Sequence, residues 1–196
     1  MELKKHHRDF EALHFVSRAI STTLERANLQ QLHVERSGDD AGTSTVVATD
    51  GSRMHIARGL EIEPGEYRVL SRTLSKLIIE PIADFIDFPD WKRVSTRVNC
   101  DVLLDEVHVL RNEPARVSRI LADIAVSDYA AQRESPQVRR LDYRYIADLW
   151  TDNKWRVRAS QTELGPVFFD TYNASAGGPG RALPAGLAAV IMPLSV

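Results

Sequence analysis

A chain of 196 residues with 43% hydrophobic and 27% charged residues has the balance of an ordinary folded globular protein and can hold one substantial core or two modest ones. Its net charge of −2, with 14 basic and 15 acidic residues up to Val98 and 11 and 12 after it, gives no overall positive field and no basic tail. The single cysteine, Cys100, excludes an internal disulfide framework and a CxxC metal site; no apolar run reaches the ~18 residues of a membrane span, and MELKKHHRDF is too polar for a secretory leader, so a cytoplasmic protein is expected.

Along the chain, Phe10, Leu13, Phe15, Val16 and Ile20 recur mostly at helical spacing behind Asp9, which predicts a helix over residues 9–22 with Arg8 and Arg18 on its other face. Leu29, Leu32 and Val34, then Thr45 to Thr49 and Arg53 to Ala57, read as a β meander. Its second turn is VVATDGSRMHIA, where Asp-Gly supplies the bend and Asp50 a hydrogen-bonding side chain. A strand at Tyr67 to Leu70 is followed by SRTLSKLII, whose Leu74, Leu77 and Ile78 suggest a short second helix carrying Arg72 and Lys76 four residues apart. Phe85 to Phe88 alternates like a strand before Pro89, and Val102 to Leu110 holds two further short runs of period two.

The second half repeats this plan. Pro114 opens a third helix with Val117, Leu121, Ile124 and Ala125 on one side and Arg116 and Arg119 away from them. Val138 to Leu141 is extended, and Tyr145, Ile146, Leu149 and Trp150 form a fourth helix with Arg140 and Arg144 at its start. Trp155 to Ser160, Val167 to Thr171 and Leu187 to Met192 close the chain as strands around the loop NASAGGPGRALPAG. The expected fold class is α+β, with two similar domains over residues 1–98 and 99–196, each with two helices packed on antiparallel β-sheet; no residue-by-residue repeat relates them.

Nothing in the sequence carries catalysis. Nucleophile elbows, HExxH, metal-ligand spacings and phosphate loops are absent, and GGPGR lacks the Lys and Ser or Thr of a phosphate loop. The six histidines could meet at a metal only through tertiary convergence, and Asp50 with His55 is the one pair that suggests acid–base chemistry. The expectation is a protein that is not an enzyme and needs neither cofactor nor metal.

Four segments in order carry a resemblance. VATDGSRMHIA resembles the "ATDGHRLA" turn of the bacterial DNA polymerase III beta subunit, the sliding clamp. Upstream, RANLQQLHVE resembles the clamp's strand entry, with a leucine three residues after an arginine; FPDWKRV resembles "FPDYRRV", and the terminal VIMPLSV resembles "VVMPMRL". The resemblance implies two DNA-clamp-like domains, corresponding to the clamp's middle and last domains, with both pruned and the first missing. It also implies a hydrophobic pocket for partner peptides formed by Leu29, Thr49, Gly51, Arg53, Met54, Pro89, Arg93, Val94, Val190, Met192, Pro193 and Leu194, where Met and aliphatic side chains make an adaptable cleft. Ser52, Met54 and Ser195 stand where the family carries histidine, leucine and arginine.

In the family, helices hold Lys and Arg toward DNA phosphates. Here that role falls to Arg18, Arg72, Lys76, Arg116, Arg119, Arg140 and Arg144, although Ala27 and Asn28 replace tyrosines that many clamps place near DNA. The implied partners are DNA, bound without sequence preference, a DNA polymerase or another clamp-binding protein, and further copies of the chain, since six domains make a ring and two per chain require three copies. The alternative is an adaptor or decoy that keeps the peptide pocket without the ring.

Overall fold

The computed structural model describes residues 1–38, 42–84, 86–96, 102–103, 141–151, 155–159, 165–171 and 186–193. The chain divides into two compact units, Met1–Trp91 with Asn173–Ala188, and Lys92–Tyr172 with Ala189–Val196.

In the first unit six strands form an antiparallel sheet: β1 (Glu2–Lys4), β2 (Leu32–Arg36), β3 (Ser44–Thr49), β4 (Arg53–Leu60), β5 (Gly65–Arg72) and β6 (Lys76–Pro81), in the order β1-β6-β5-β2-β3-β4. The run TVVA puts β-branched residues through β3, where Val46, Val47 and Ala48 are fully buried, as befits a strand covered on both faces. Helix α1 (Phe10–Val16) packs against β3, β4 and β6, and Leu13, Phe15 and Val16 join Leu32, Ile56, Leu77 and Ile79 in the core. The helix is shorter than the sequence suggests because it tightens into a 3-10 turn at Ser17–Ala19 and Ile20 is already extended. Asp9 occupies the N-cap position without capping; its carboxylate accepts instead from the Glu61 amide, at 3.3 Å.

Two expectations are corrected here. SRTLSKLII is not a helix but the tip of the β5–β6 hairpin, closed by the Thr73 amide donating to the Lys76 carbonyl at 2.8 Å. Leu77 and Ile79 point into the core at period two, and that burial outweighs the local helical spacing of Leu74, Leu77 and Ile78. Residues 86–90 form no strand; the segment lies along β2, with the Gln31 side chain donating to the Ile86 carbonyl at 2.9 Å and Phe88 stacked on His33 at 4.9 Å.

In the second unit β7 (Val102–Leu103), β8 (Trp155–Ala159) and β9 (Val167–Thr171) pair antiparallel, and β10 (Gly186–Ile191), which the division crosses, lies next to β9. Trp155 and Val157 alternate inward along β8, and Trp155 meets Phe169 edge-on at 6.5 Å. Two short helices, α2 (Lys92–Thr96) and α3 (Tyr143–Ala147), complete the described residues. Asp142 caps α3 by accepting from the Arg144 amide at 2.9 Å. The third helix expected after Pro114 lies outside the described residues, as do residues 138–140. Among the described residues the architecture is antiparallel β-sheet with few helices. Among the described residues no helix is long and apolar enough to cross a membrane.

Candidate functional site

The best-organised polar feature is the turn between β3 and β4. Asp50 Oδ1 accepts from the amides of Ser52 and Arg53 at 2.9 and 3.0 Å, and Oδ2 accepts from Arg53 Nε at 3.1 Å. Thr49 Oγ1 donates to the Arg53 carbonyl at 2.6 Å and accepts from the Gly51 amide at 3.0 Å. Five residues, Thr49 to Arg53, thus satisfy one another's polar groups locally, which is how a short polar sequence fixes a turn. Gly51 has φ +90°, a conformation that disfavours any side chain.

Two contacts tie this turn to the rest of the unit. Arg26 donates to the Asp50 carbonyl at 2.6 Å, and Arg53 donates to the Arg18 carbonyl at 2.7 Å. A Cβ on Gly51 would stand 3.8 Å from the Leu29 side chain, and Met54 faces Thr49 across the ladder. The structure therefore brings Leu29, Thr49, Gly51, Arg53 and Met54 together. Leu29 and Met54 are buried, so they support the turn from beneath. Arg26 was not singled out for the site by sequence reasoning; its signal was the arginine of RANL, three residues before Leu29.

The remaining peptide-site candidates lie on other elements. Pro89 is exposed on the segment held to β2. In the second unit, Arg93 and Val94 are exposed on α2, Val190 is buried in β10, Met192 is 36% exposed just beyond it and Pro193 is half-buried. Leu194 lies outside the described residues.

Among the described residues, the cations expected to contact phosphate have partners within the chain. Arg18 is buried, not on a solvated helix face, with its guanidinium 3.3 Å from His14 Nδ1 and over the Phe15 ring at 5.6 Å. Arg72 and Lys76 lie on strands, not on a helix: Arg72 donates to the Ser17 carbonyl at 2.5 Å, and Lys76 pairs with Glu2 at 3.0 Å. Arg144 is exposed on α3 and chelated by Asp142 at 2.6 Å, a contact that raises its pKa. Arg116, Arg119 and Arg140 lie outside the described residues.

Asp50 and His55 do not form an acid–base pair. His55 is fully buried, stacked on Phe15 at 4.3 Å, and its Nδ1–H donates to the Phe15 carbonyl at 2.9 Å. Burial, outweighing that hydrogen bond, pushes its pKa down to about 3, and Arg53, Arg18 and Arg72 add to the depression, so the ring is neutral. Among the described residues no group of three or more His, Cys, Asp or Glu could hold a metal ion.

No family model matches the chain, nor does any curated protein sequence. Solved structures do. The DNA polymerase III beta chain of Streptococcus pneumoniae aligns over 100% of this chain and 64% of its own length, with TM-score 0.58 and 11% identity. The DNA polymerase sliding clamp of Pseudomonas aeruginosa aligns over 100% and 66%, with TM-score 0.56 and 16% identity. The sliding clamp of Bartonella birtlesii, solved bound to griselimycin, aligns over 94% and 64%, with TM-score 0.55 and 16% identity. The chain is similar in fold to bacterial sliding clamps over essentially its whole length and spans slightly less than two-thirds of theirs.

Proposed function

We propose that the chain is a clamp-like accessory protein of DNA replication or repair, without catalytic activity, that binds a short peptide segment of a partner such as a DNA polymerase. The observation that carries this reading is the whole-chain likeness to sliding clamps. The braced Thr49–Met54 turn supports it, since it holds Gly51 and the Arg53 stem in fixed positions where a peptide can lie against them. In this reading residues 1–98 and 99–196 correspond to a clamp's middle and last domains. The peptide site comprises Leu29, Thr49, Gly51, Arg53, Met54, Pro89, Arg93, Val94, Val190, Met192, Pro193 and Leu194. The Bartonella clamp, solved bound to griselimycin, is a precedent for ligand binding on this fold.

The test is fluorescence polarisation with a labelled clamp-binding peptide, comparing the native chain with Val94→Ala/Met192→Ala. Both residues are exposed, so the double variant keeps its core. Binding by the native chain that falls on the order of tenfold or more in the variant supports the reading; no binding by the native chain removes it.

Whether three copies close a ring around DNA is a separate question, answered by the solution mass: about three times 22.0 kDa for a ring and one time for a non-ring adaptor. The internal engagement of Arg18, Arg72, Lys76 and Arg144 favours the adaptor as the second reading.

A further inference from the structure

Leu32 and Val34 are buried on the core side of β2, which leaves His33 and Glu35 on the opposite face, with Glu66 of β5 beside His33 in register. Polar residues on an outer sheet face ordinarily stand in water. Here Glu66 is 6% exposed, and Gln31, just before β2, is 3% exposed. Residues 86–90 lie against this face: the Gln31 side chain donates to the Ile86 carbonyl, and the Phe88 ring stacks on His33 within 6° of parallel. The segment is thus a strap across a polar cluster.

The carboxylate of Glu66 is shut in with a single partner. Its Oε1 is 2.5 Å from His33 Nδ1, and Oε2 has no hydrogen-bond partner among the described residues. An ionised carboxylate is costly to bury without a counter-charge, and the His33 ring beside it supplies one only when it carries a second proton. The groups that face the ring agree with this. Glu66 comes from β5, Glu35 from β2 itself with Oε2 3.6 Å from Nε2, β3 presents the apolar Val47 in register, and the strap presents Phe88, with Asp87 and Asp90 exposed. The Glu66 and Glu35 carboxylates favour the imidazolium, whose charge turns the Phe88 stack into a cation–π contact.

We infer that residues 86–90 form a strap latched by a proton on His33, fastened while the imidazole is charged and released as it becomes neutral. With the strap down, a neutral ring leaves Glu66 as a buried charge without its counter-ion. With the strap lifted, water reaches the carboxylate and that cost disappears. The closed strap therefore binds the proton more tightly than the open one, and rising pH favours opening.

The experiment follows the His33 ring protons by NMR through a pH titration of the full chain, native and Phe88→Leu, with His33→Gln to identify the signal. Proton and strap are linked reciprocally, so a strap that favours the imidazolium raises the His33 pKa and its weakening lowers it. The expected value for Phe88→Leu lies below the native one by about 0.5–1.5 pH units, the logarithm of a roughly three- to thirtyfold coupling. A Phe88 that merely covered the ring would keep water from it, and its loss would raise the pKa; a raised or unchanged value overturns the proposal. Hydrogen exchange of the residue 86–91 amides, corrected for its intrinsic pH dependence, then reads the strap itself. Opening should increase by on the order of three- to thirtyfold between about pH 6 and about pH 8.5 in the native chain and stay level in Glu66→Gln, which has no buried charge to balance. A level native profile, a rise that persists in Glu66→Gln, or an equal rise at Val46, Val47 and Ala48, which would mean unfolding of the whole unit, also overturns it. Pro89 lies in the strap and belongs to the proposed peptide site, but neither measurement contains a peptide, so that reading keeps its own polarisation experiment.

Discussion

His33 Nδ1 lies 2.5 Å from Oε1 of Glu66, its register partner across the β2–β5 ladder. Glu66 is buried, and its other oxygen has no hydrogen-bond partner among the described residues. Glu35 on β2 stands 3.6 Å from His33 Nε2, and Phe88 covers the imidazole face. The Glu66 contact, opposed by partial burial and assisted by Glu35, holds the imidazole pKa above its ordinary 6.5.

Stability should therefore fall as the solution becomes alkaline. The folded pKa is raised, so the contribution of His33 is complete below pH 6.5 and is lost as pH rises through the higher folded value. Urea unfolding at a series of pH values should show this decline, and Glu66→Gln should flatten it. His33→Ala should destabilise by roughly 1–3 kcal/mol at pH 6, because it leaves a buried carboxylate without its proton-bearing partner.

The opposite slope should appear on the acid side. With the His55 pKa near 3 in the fold and near 6.5 in the unfolded chain, the unfolded state binds the extra proton between those values. Stability then drops by up to a few kcal/mol as pH falls through that window, and His55→Gln should remove most of the slope. Together the two histidines put maximum stability near pH 6.5, which a pH series of thermal melts will locate.

Substituting Gly51 by Ala should weaken the β3–β4 turn by about 1–2 kcal/mol, the usual cost of a side chain in the left-handed region. The added Cβ would also stand 2.5 Å from the Arg26 guanidinium and displace it from the Asp50 carbonyl. If the turn forms part of a peptide site, peptide affinity should fall more than stability does, and calorimetry on the folded variant separates the two.

In the second unit, Trp155→Phe removes the donor that satisfies the Leu149 carbonyl at 2.9 Å in a fully buried position. The expected loss is roughly 1–3 kcal/mol, measured by chemical denaturation. The first unit's turn should keep its fold, visible as unchanged amide shifts of Thr49 to Met54.

The contrast between what was legible and what was not follows the range of the interactions. The Asp50–Arg53 turn could be read because its hydrogen bonds run between residues two to four apart, so the chemistry and the spacing lie in one short string. SRTLSKLII could not, because Leu77 belongs to two periods at once and only the partner strand β5 decides between them. Strand β1 is three residues long and exists through its pairing with β6, more than 70 residues away. Arg18 was placed on the wrong side of α1 because an arginine at the helix end reads as solvated, whereas here an aromatic ring and a histidine receive it. Nothing local announces such a neighbour.

Three basic side chains converge on one helix end. Arg53 and His55 from β4 and Arg72 from β5 donate to the carbonyls of Arg18, Phe15 and Ser17. A seven-residue helix is too short to persist by itself in water, and these partners lie 35 to 55 residues further along the chain. The helix therefore cannot nucleate the unit. It is completed only after both hairpins have formed, which makes the sheet the early event and α1 the late one. Pulse-labelled hydrogen exchange during refolding should find β3 and β4 protected while the amides of α1 still exchange freely.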